Sequence, residues 1–146
     1  MYTYEFNVTR HVDGDTIDGD IRLGFDVILY KQRLRLFGID TEESRTRDKV
    51  EKFYGKLAKS YLAEQAPIGS RIKLVSHEKG KYGRILASIY NDDSDISINE
   101  KMCMESLAVP YHGQSKQEIQ DEHLVNRKKL REKGIVPPLP SGYTSA

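Results

Sequence analysis

Two short runs hold residue types that can do chemistry together. One is Arg35-Leu36-Phe37-Gly38-Ile39-Asp40-Thr41-Glu42-Glu43, an arginine followed by a cluster of carboxylates; the other is Lys81-Tyr82-Gly83-Arg84. Carboxylates bind hard cations through oxygen. A planar arginine fork holds two phosphoryl oxygens at once, which a lysine cannot. The combination suggests metal-assisted cleavage of a phosphodiester, in which water needs a base and the developing charge needs cations. Asp15, in Asp13-Gly14-Asp15-Thr16, joins Asp40 and Glu43 as a candidate oxygen donor or base. An all-oxygen set suits Ca²⁺ or Mg²⁺ rather than a transition metal.

Each residue also has a reading without chemistry. Aspartate beside glycine commonly closes a hairpin turn, which is the reading kept for Asp13. Glu43 reads as a solvated loop carboxylate, and Arg35 as a surface strand arginine like Arg33. Arg84 reads as a hairpin arginine paired with a nearby acid. These readings treat the two arginines separately and do not account for both at once.

The elements that must position these residues are visible in the hydrophobic pattern. Tyr4 to His11 alternates as a strand, Val12-Asp13-Gly14-Asp15 marks a turn, and Ile17, Gly19, Ile21 and Leu23 alternate with Asp18, Asp20 and Arg22. Val27 to Phe37 is a long extended run whose length predicts a strand that bends or serves two sheets. Val50, Phe53, Tyr54, Leu57, Ala58, Tyr61 and Leu62 follow helical spacing, so a helix is predicted from about Asp48 to Ala66. Asp48 with Glu51 resembles a capping box, and Pro67 and Gly69 end the helix. Strands are predicted at Arg71 to Glu78 and Ile85 to Tyr90, joined by the glycine-bearing loop that holds Lys81 to Arg84. A short helix is predicted from Ser97 to about Ser106, and a charged one from Lys116 to Lys133 with Ile119, Leu124 and Leu130 as its apolar contacts. Residues 1–134 read as one domain and the Pro-rich residues 135–146 as a disordered tail.

The bulk numbers bound the rest. The 146 residues suit a single core. The 23 basic and 22 acidic residues leave a net charge of +1, so any surface for a polyanion must be local. Cys103 is the sole cysteine, so no internal disulfide forms, and it is expected to be a buried thiol among Met102 and Met104. The four histidines lack zinc-ligand spacing. Met1 to Phe6 has neither the basic start nor the apolar run of a signal peptide, so a cytoplasmic location is expected, a removed leader aside.

The ordered set Asp13-Gly14-Asp15-Thr16, Arg35-x4-Asp40-Thr41-x-Glu43 and Lys81-Tyr82-Gly83-Arg84 resembles the staphylococcal nuclease (thermonuclease) family, from about Val8 to about Lys133. Strand count leaves several α+β folds open; the resemblance implies an OB-fold, a five-stranded Greek-key barrel with three helices. It implies that Asp15, Asp40 and the Thr41 carbonyl bind Ca²⁺, that Glu43 activates water, and that Arg35 and Arg84 hold phosphate. Tyr82 matches a nucleotide-binding tyrosine. Tyr111 does so only approximately, in the atypical stretch Val109-Pro110-Tyr111-His112-Gly113, and packing weighs as much for it. Lys79 and Lys81 add positive charge beside the same loop. Glu42 departs from the family, which has proline there; it leaves two adjacent carboxylates, of which spacing selects Glu43.

The function implied is a Ca²⁺-dependent nuclease acting on DNA and RNA with little sequence preference, leaving 3′-phosphate ends. Single strands or fraying duplexes are the expected substrates. The alternative is a non-catalytic barrel that holds nucleic acid or a protein segment. Retention of Asp15, Arg35, Asp40, Thr41, Glu43 and Arg84 favours the enzyme. No membrane and no obligate protein partner is expected.

Overall fold

The chain runs β1 (Tyr2–Asp13), β2 (Thr16–Gly24), β3 (Val27–Leu36), β4 (Ile39–Asp40), α1 (Lys49–Gln65), β5 (Arg71–Lys79), β6 (Ile85–Tyr90), α2 (Ile98–Met104), β7 (Val109–Pro110) and α3 (Lys116–Glu132). The computed structural model describes residues 2–79, 84–91 and 94–137, with only the backbone of Glu78 and Lys79. Lys81 and Tyr82 lie outside the described residues. Alternation sends Phe6 and Val8 of β1, Ile17 and Ile21 of β2, and Leu34 and Leu36 of β3 into the core. Five strands close in the order β1-β2-β3-β6-β5, with β5 returning to β1. Every barrel pair is antiparallel except β3 with β6. Closure pairs each of the five strands with a neighbour on both sides, though β3 meets β6 only over Leu34–Leu36. With three helices, this is the OB-type α+β architecture expected from the resemblance.

The long third strand bends rather than serving two sheets. Opposite Gly19–Ile21, β3 runs Leu29–Gln32 with one residue too many, and Lys31 takes a left-handed φ of 56°. The Lys31 amide leaves the ladder and donates to Asp20 Oδ1 at 3.0 Å. Such a bulge sharpens the coil that a closed barrel needs. A second, two-stranded sheet was not foreseen: β4 pairs with β7, Ile39 opposite Pro110 and Asp40 opposite Val109. Strands of two residues carry no readable alternation.

Asp48 caps α1 by accepting from the Val50 and Glu51 amides at 3.0 and 3.1 Å. The predicted reciprocal bond from Glu51 is replaced: the Asp48 amide donates to Thr46 Oγ1 at 3.3 Å. Asn99, buried in α2, donates to the Phe37 and Ala87 carbonyls and accepts from the Ile89 amide, tying that helix to the barrel. Cys103 is half-buried rather than buried, and desolvation pushes its thiol pKa up. On α3, Leu124 is exposed; the buried residues are His123, Arg127 and Leu130, one per turn. Among the described residues no helix is long and apolar enough to cross a membrane.

Gly55 sets how closely α1 approaches the rest. A Cβ there would sit 2.2 Å from the Glu43 carbonyl oxygen and 2.7 Å from the Ser44 nitrogen. Alanine inside a helix is favoured over glycine by about 1 kcal/mol. The backbone collision outweighs that gain, because neither atom belongs to a flexible side chain. Gly55→Ala is expected to lower stability by a net of about 1–3 kcal/mol, the usual range for overpacking. Urea unfolding would measure it; a midpoint at or above wild type would disprove the close approach.

Candidate active-site cleft

Barrel register brings the first two charged residues together. Thr16 pairs with Arg35, and the Leu36 amide donates to the Asp15 carbonyl at 2.8 Å. The Asp15 side chain therefore lies against the Arg35 guanidinium, with Nη1 2.8 Å from Oδ2. Arg35 reaches on to Asp40, Nη2 to Oδ1 at 3.5 Å. One arginine thus sits between the two aspartates. Asp15 also accepts from the Thr16 hydroxyl at 3.0 Å and the Thr41 amide at 3.2 Å. Burial, the largest influence, pushes its pKa up, and Asp40 adds to the push. Arg35 and the Thr41 amide oppose it.

The loop that carries Glu43 is held from several sides. Asp13 does not merely close its turn: its Oδ1 accepts from the Ser44 amide at 3.1 Å and from the Ser44 hydroxyl, 31 residues away. Gly14 leaves room for Thr41, whose Oγ1 would be 2.9 Å from a Cβ there. Glu42 turns inward to a buried ion pair with Arg127 of α3, whose Nε lies 2.9 and 3.0 Å from the two carboxylate oxygens. That bond raises the Arg127 pKa further. His123, one turn earlier on α3, places Nε2 2.7 Å from Asp40 Oδ2. Of the two adjacent glutamates, Glu42 is buried and Glu43 is exposed.

Arg35, Asp40, Thr41 and Glu43 line a cleft of about 920 Å³. Arg84, delivered by the parallel β3–β6 pairing, and Tyr111, half-exposed beside β7, line it too. Asp15 lies behind Arg35 and is not part of the lining. Residues unforeseen as part of the site are Glu51, Gln114, Lys116, Gln120 and His123. By sequence Glu51 reads as a capping residue. Burial pushes its pKa up first, and Glu43 and Glu42 push it the same way. The histidine and Arg127 carried no signal, because their partners are more than eighty residues away in sequence.

The available donors are carboxylate and backbone oxygens, chemistry that fits a hard cation. Among the described residues no three His, Cys, Asp or Glu side chains are grouped so as to hold a metal ion themselves. Such a donor set fits a cation that keeps part of its water, not an all-protein cage.

Fold and cleft together define a closed OB-type barrel with an acidic pocket spanned by arginine. Residues 33–134, more than half of the chain, match the family described as Staphylococcal nuclease homologue. The chain is 34% identical over 109 residues to the thermonuclease of Staphylococcus hyicus, covering 70% of this chain and 57% of that protein. It is 35% identical over 103 residues to the thermonuclease of Staphylococcus intermedius, covering 69% and 56%. A probable staphylococcal-like nuclease, CAN1, of Oryza sativa subsp. japonica is 33% identical over 88 residues, covering 60% and 24%. The chain belongs to the staphylococcal nuclease homologue family. It spans little more than half the length of the two thermonucleases.

Removing one member of a buried ion pair leaves the other uncompensated and typically costs about 3–5 kcal/mol, whereas replacing both by apolar residues is often neutral. Glu42→Gln and Arg127→Ala are therefore each expected to destabilise the fold by roughly that amount, and Glu42→Leu with Arg127→Met to restore most of it. Denaturant unfolding of the three variants checks this. Single variants as stable as wild type would mean that the pair does not hold the loop.

Proposed function

We propose that the protein is a Ca²⁺-dependent nuclease that hydrolyses phosphodiester bonds of DNA and RNA with little sequence preference, leaving 3′-phosphate ends. The observation that carries this reading is Arg35 held between Asp15 and Asp40 at the edge of a cleft that also contains Glu43 and Arg84. Family membership supports it, since the two staphylococcal relatives are named thermonucleases.

The residues divide the work, with Asp15 and Asp40 serving twice. Asp15, Asp40 and the Thr41 carbonyl would hold Ca²⁺, which when bound supplies a positive charge for a phosphoryl oxygen and helps orient water. Glu43, exposed and free of the Glu42–Arg127 pair, would take the proton of the attacking water. Arg35 and Arg84 would donate to the phosphoryl oxygens as charge grows on them. Asp15 and Asp40 hold the Arg35 fork in place before substrate arrives. Tyr111 offers an aromatic face and a phenolic hydroxyl to a nucleotide. Lys81 and Tyr82 are proposed substrate contacts on sequence alone. The cleft is open and mixed in polarity, which favours a single strand or a frayed end.

Steady-state cleavage of one oligonucleotide tests the reading, with Ca²⁺ and with chelator. Activity is expected only with the ion, and Asp40→Asn should sharply weaken Ca²⁺ binding in calorimetry. Arg35→Lys and Arg84→Lys should each lower turnover by about 10²–10³, the typical loss of one transition-state donor. Glu43→Gln should lower it as well while leaving the fold intact. Near-normal turnover in either arginine variant would reject the shared-phosphate arrangement. Binding without cleavage under all conditions would replace the enzyme by a nucleic-acid-binding barrel.

A further inference from the structure

A second groove, of about 450 Å³, lies beside the loop that presents Glu43. Arg45 and Arg47 of the loop and Lys52, Lys56 and Lys59 of α1 line it with Ser44 and Thr46, and no carboxylate does. The lysines stand at i, i+4 and i+7, which puts them on one helix face. At 1.5 Å per residue they span roughly 10 Å of helix. Among the described residues none of the five cations forms an ion pair with an acid. Like charges at i, i+4 oppose helix formation, so charge within the helix does not account for the stripe. It is concentrated on one face of a chain whose net charge is only +1.

The groove and the cleft are lined by neighbouring residues of the same loop and helix. Glu43 and Glu51 line the cleft, while the adjacent Ser44 and Lys52 line the groove. Arg45 and Arg47 follow Glu43 by two and four residues, at most about 14 Å of extended chain. A strand lying in the cleft can therefore continue into the groove. We propose that the groove is a phosphate-binding track for the same nucleic-acid strand, in which Arg45, Arg47, Lys52, Lys56 and Lys59 hold phosphates flanking the one in the cleft. The track rests on the nuclease reading for its substrate and extends it beyond the cleaved bond. Five cations and no aromatic ring among the lining side chains read backbone charge and ignore base identity. A membrane surface is the poorer occupant: a helix lying on lipid needs an exposed apolar face, and Tyr54, Ala58 and Leu62 of α1 are buried in the protein.

The test compares wild type, Lys52→Gln/Lys56→Gln/Lys59→Gln, and Arg45→Gln/Arg47→Gln. Lys128→Gln/Lys129→Gln on the exposed side of α3 serves as a control matched in charge to the double variant. Fluorescence anisotropy measures binding of single-stranded DNA of about 4 and about 16 nucleotides, the range that one OB fold covers, across a salt series. Thermal melts confirm folding. Each phosphate contact contributes about 0.7 to the salt slope on a single strand, so the triple variant should flatten it by about 2. Affinity for the longer strand should fall by about 10- to 100-fold near 0.1 M salt. The shorter strand should be much less affected, and the control should match wild type. An unchanged slope and affinity in both groove variants would overturn the track. So would an equal loss in the α3 control, or tighter, lysine-dependent binding to anionic phospholipid vesicles than to the longer strand. Cleavage read in parallel separates the two proposals. Groove-dependent binding without cutting removes the nuclease and keeps the track; cutting with no groove-dependent binding keeps the nuclease and removes the track.

Discussion

The buried pair between Glu42 and Arg127 is the constraint on which the rest of the cleft depends. It joins the loop after β4 to a helix that begins more than seventy residues later. In a low-dielectric interior such a pair is held tightly only when both partners are fully engaged. Both carboxylate oxygens are within hydrogen-bond reach of the Arg127 Nε, and the guanidinium carbon lies 5.6 Å from the centre of the Tyr54 ring. The family resemblance puts proline at this position, where a fixed φ stiffens the loop. Here a long-range ion pair supplies rigidity by another route, and α3 becomes part of the site. His123 then meets Asp40 because i and i+4 share a helix face.

Close approach of backbones completes the arrangement. Gly55 lets α1 rest on the Glu43–Ser44 peptide, and Gly14 lets the β1–β2 turn accept Thr41. Asp13 pins Ser44 from beneath. The outcome is an arrested backbone from Asp40 to Ser44 from which the Glu43 side chain emerges. In the proposed role of Glu43 as base this would matter, because small misplacements cost large factors in rate.

Near-neutral total charge conceals an uneven distribution. Asp40, Glu43 and Glu51 line the cleft together with Arg35 and Arg84, and Asp15 pairs with Arg35 behind it, while the groove beyond Ser44 and along α1 has cationic side chains and no carboxylate. Raised pKa values at Asp15 and Glu51 have burial as their largest cause, and neighbouring carboxylates deepen it. A cation in the cleft and a polyanion along the helix would each relieve one half of this imbalance.

Much of the barrel was legible from the sequence. Period-two alternation marks the main strands and a 3.6-residue stripe marks α1, because those patterns record which face meets the core. The ordered runs around Asp15, Arg35, Asp40, Glu43 and Arg84 identify the family, because their types and spacing survive in one dimension. Local pattern could not show that Asp13 serves a distant loop, that Leu124 is exposed on α3, or that the buried face there is His123, Arg127 and Leu130. Those outcomes depend on what each residue meets across the fold. The same holds for the adjacent glutamates. Spacing selected Glu43 over Glu42, but only the tertiary structure supplied the reason they differ: an arginine eighty-five residues away takes Glu42 into the interior.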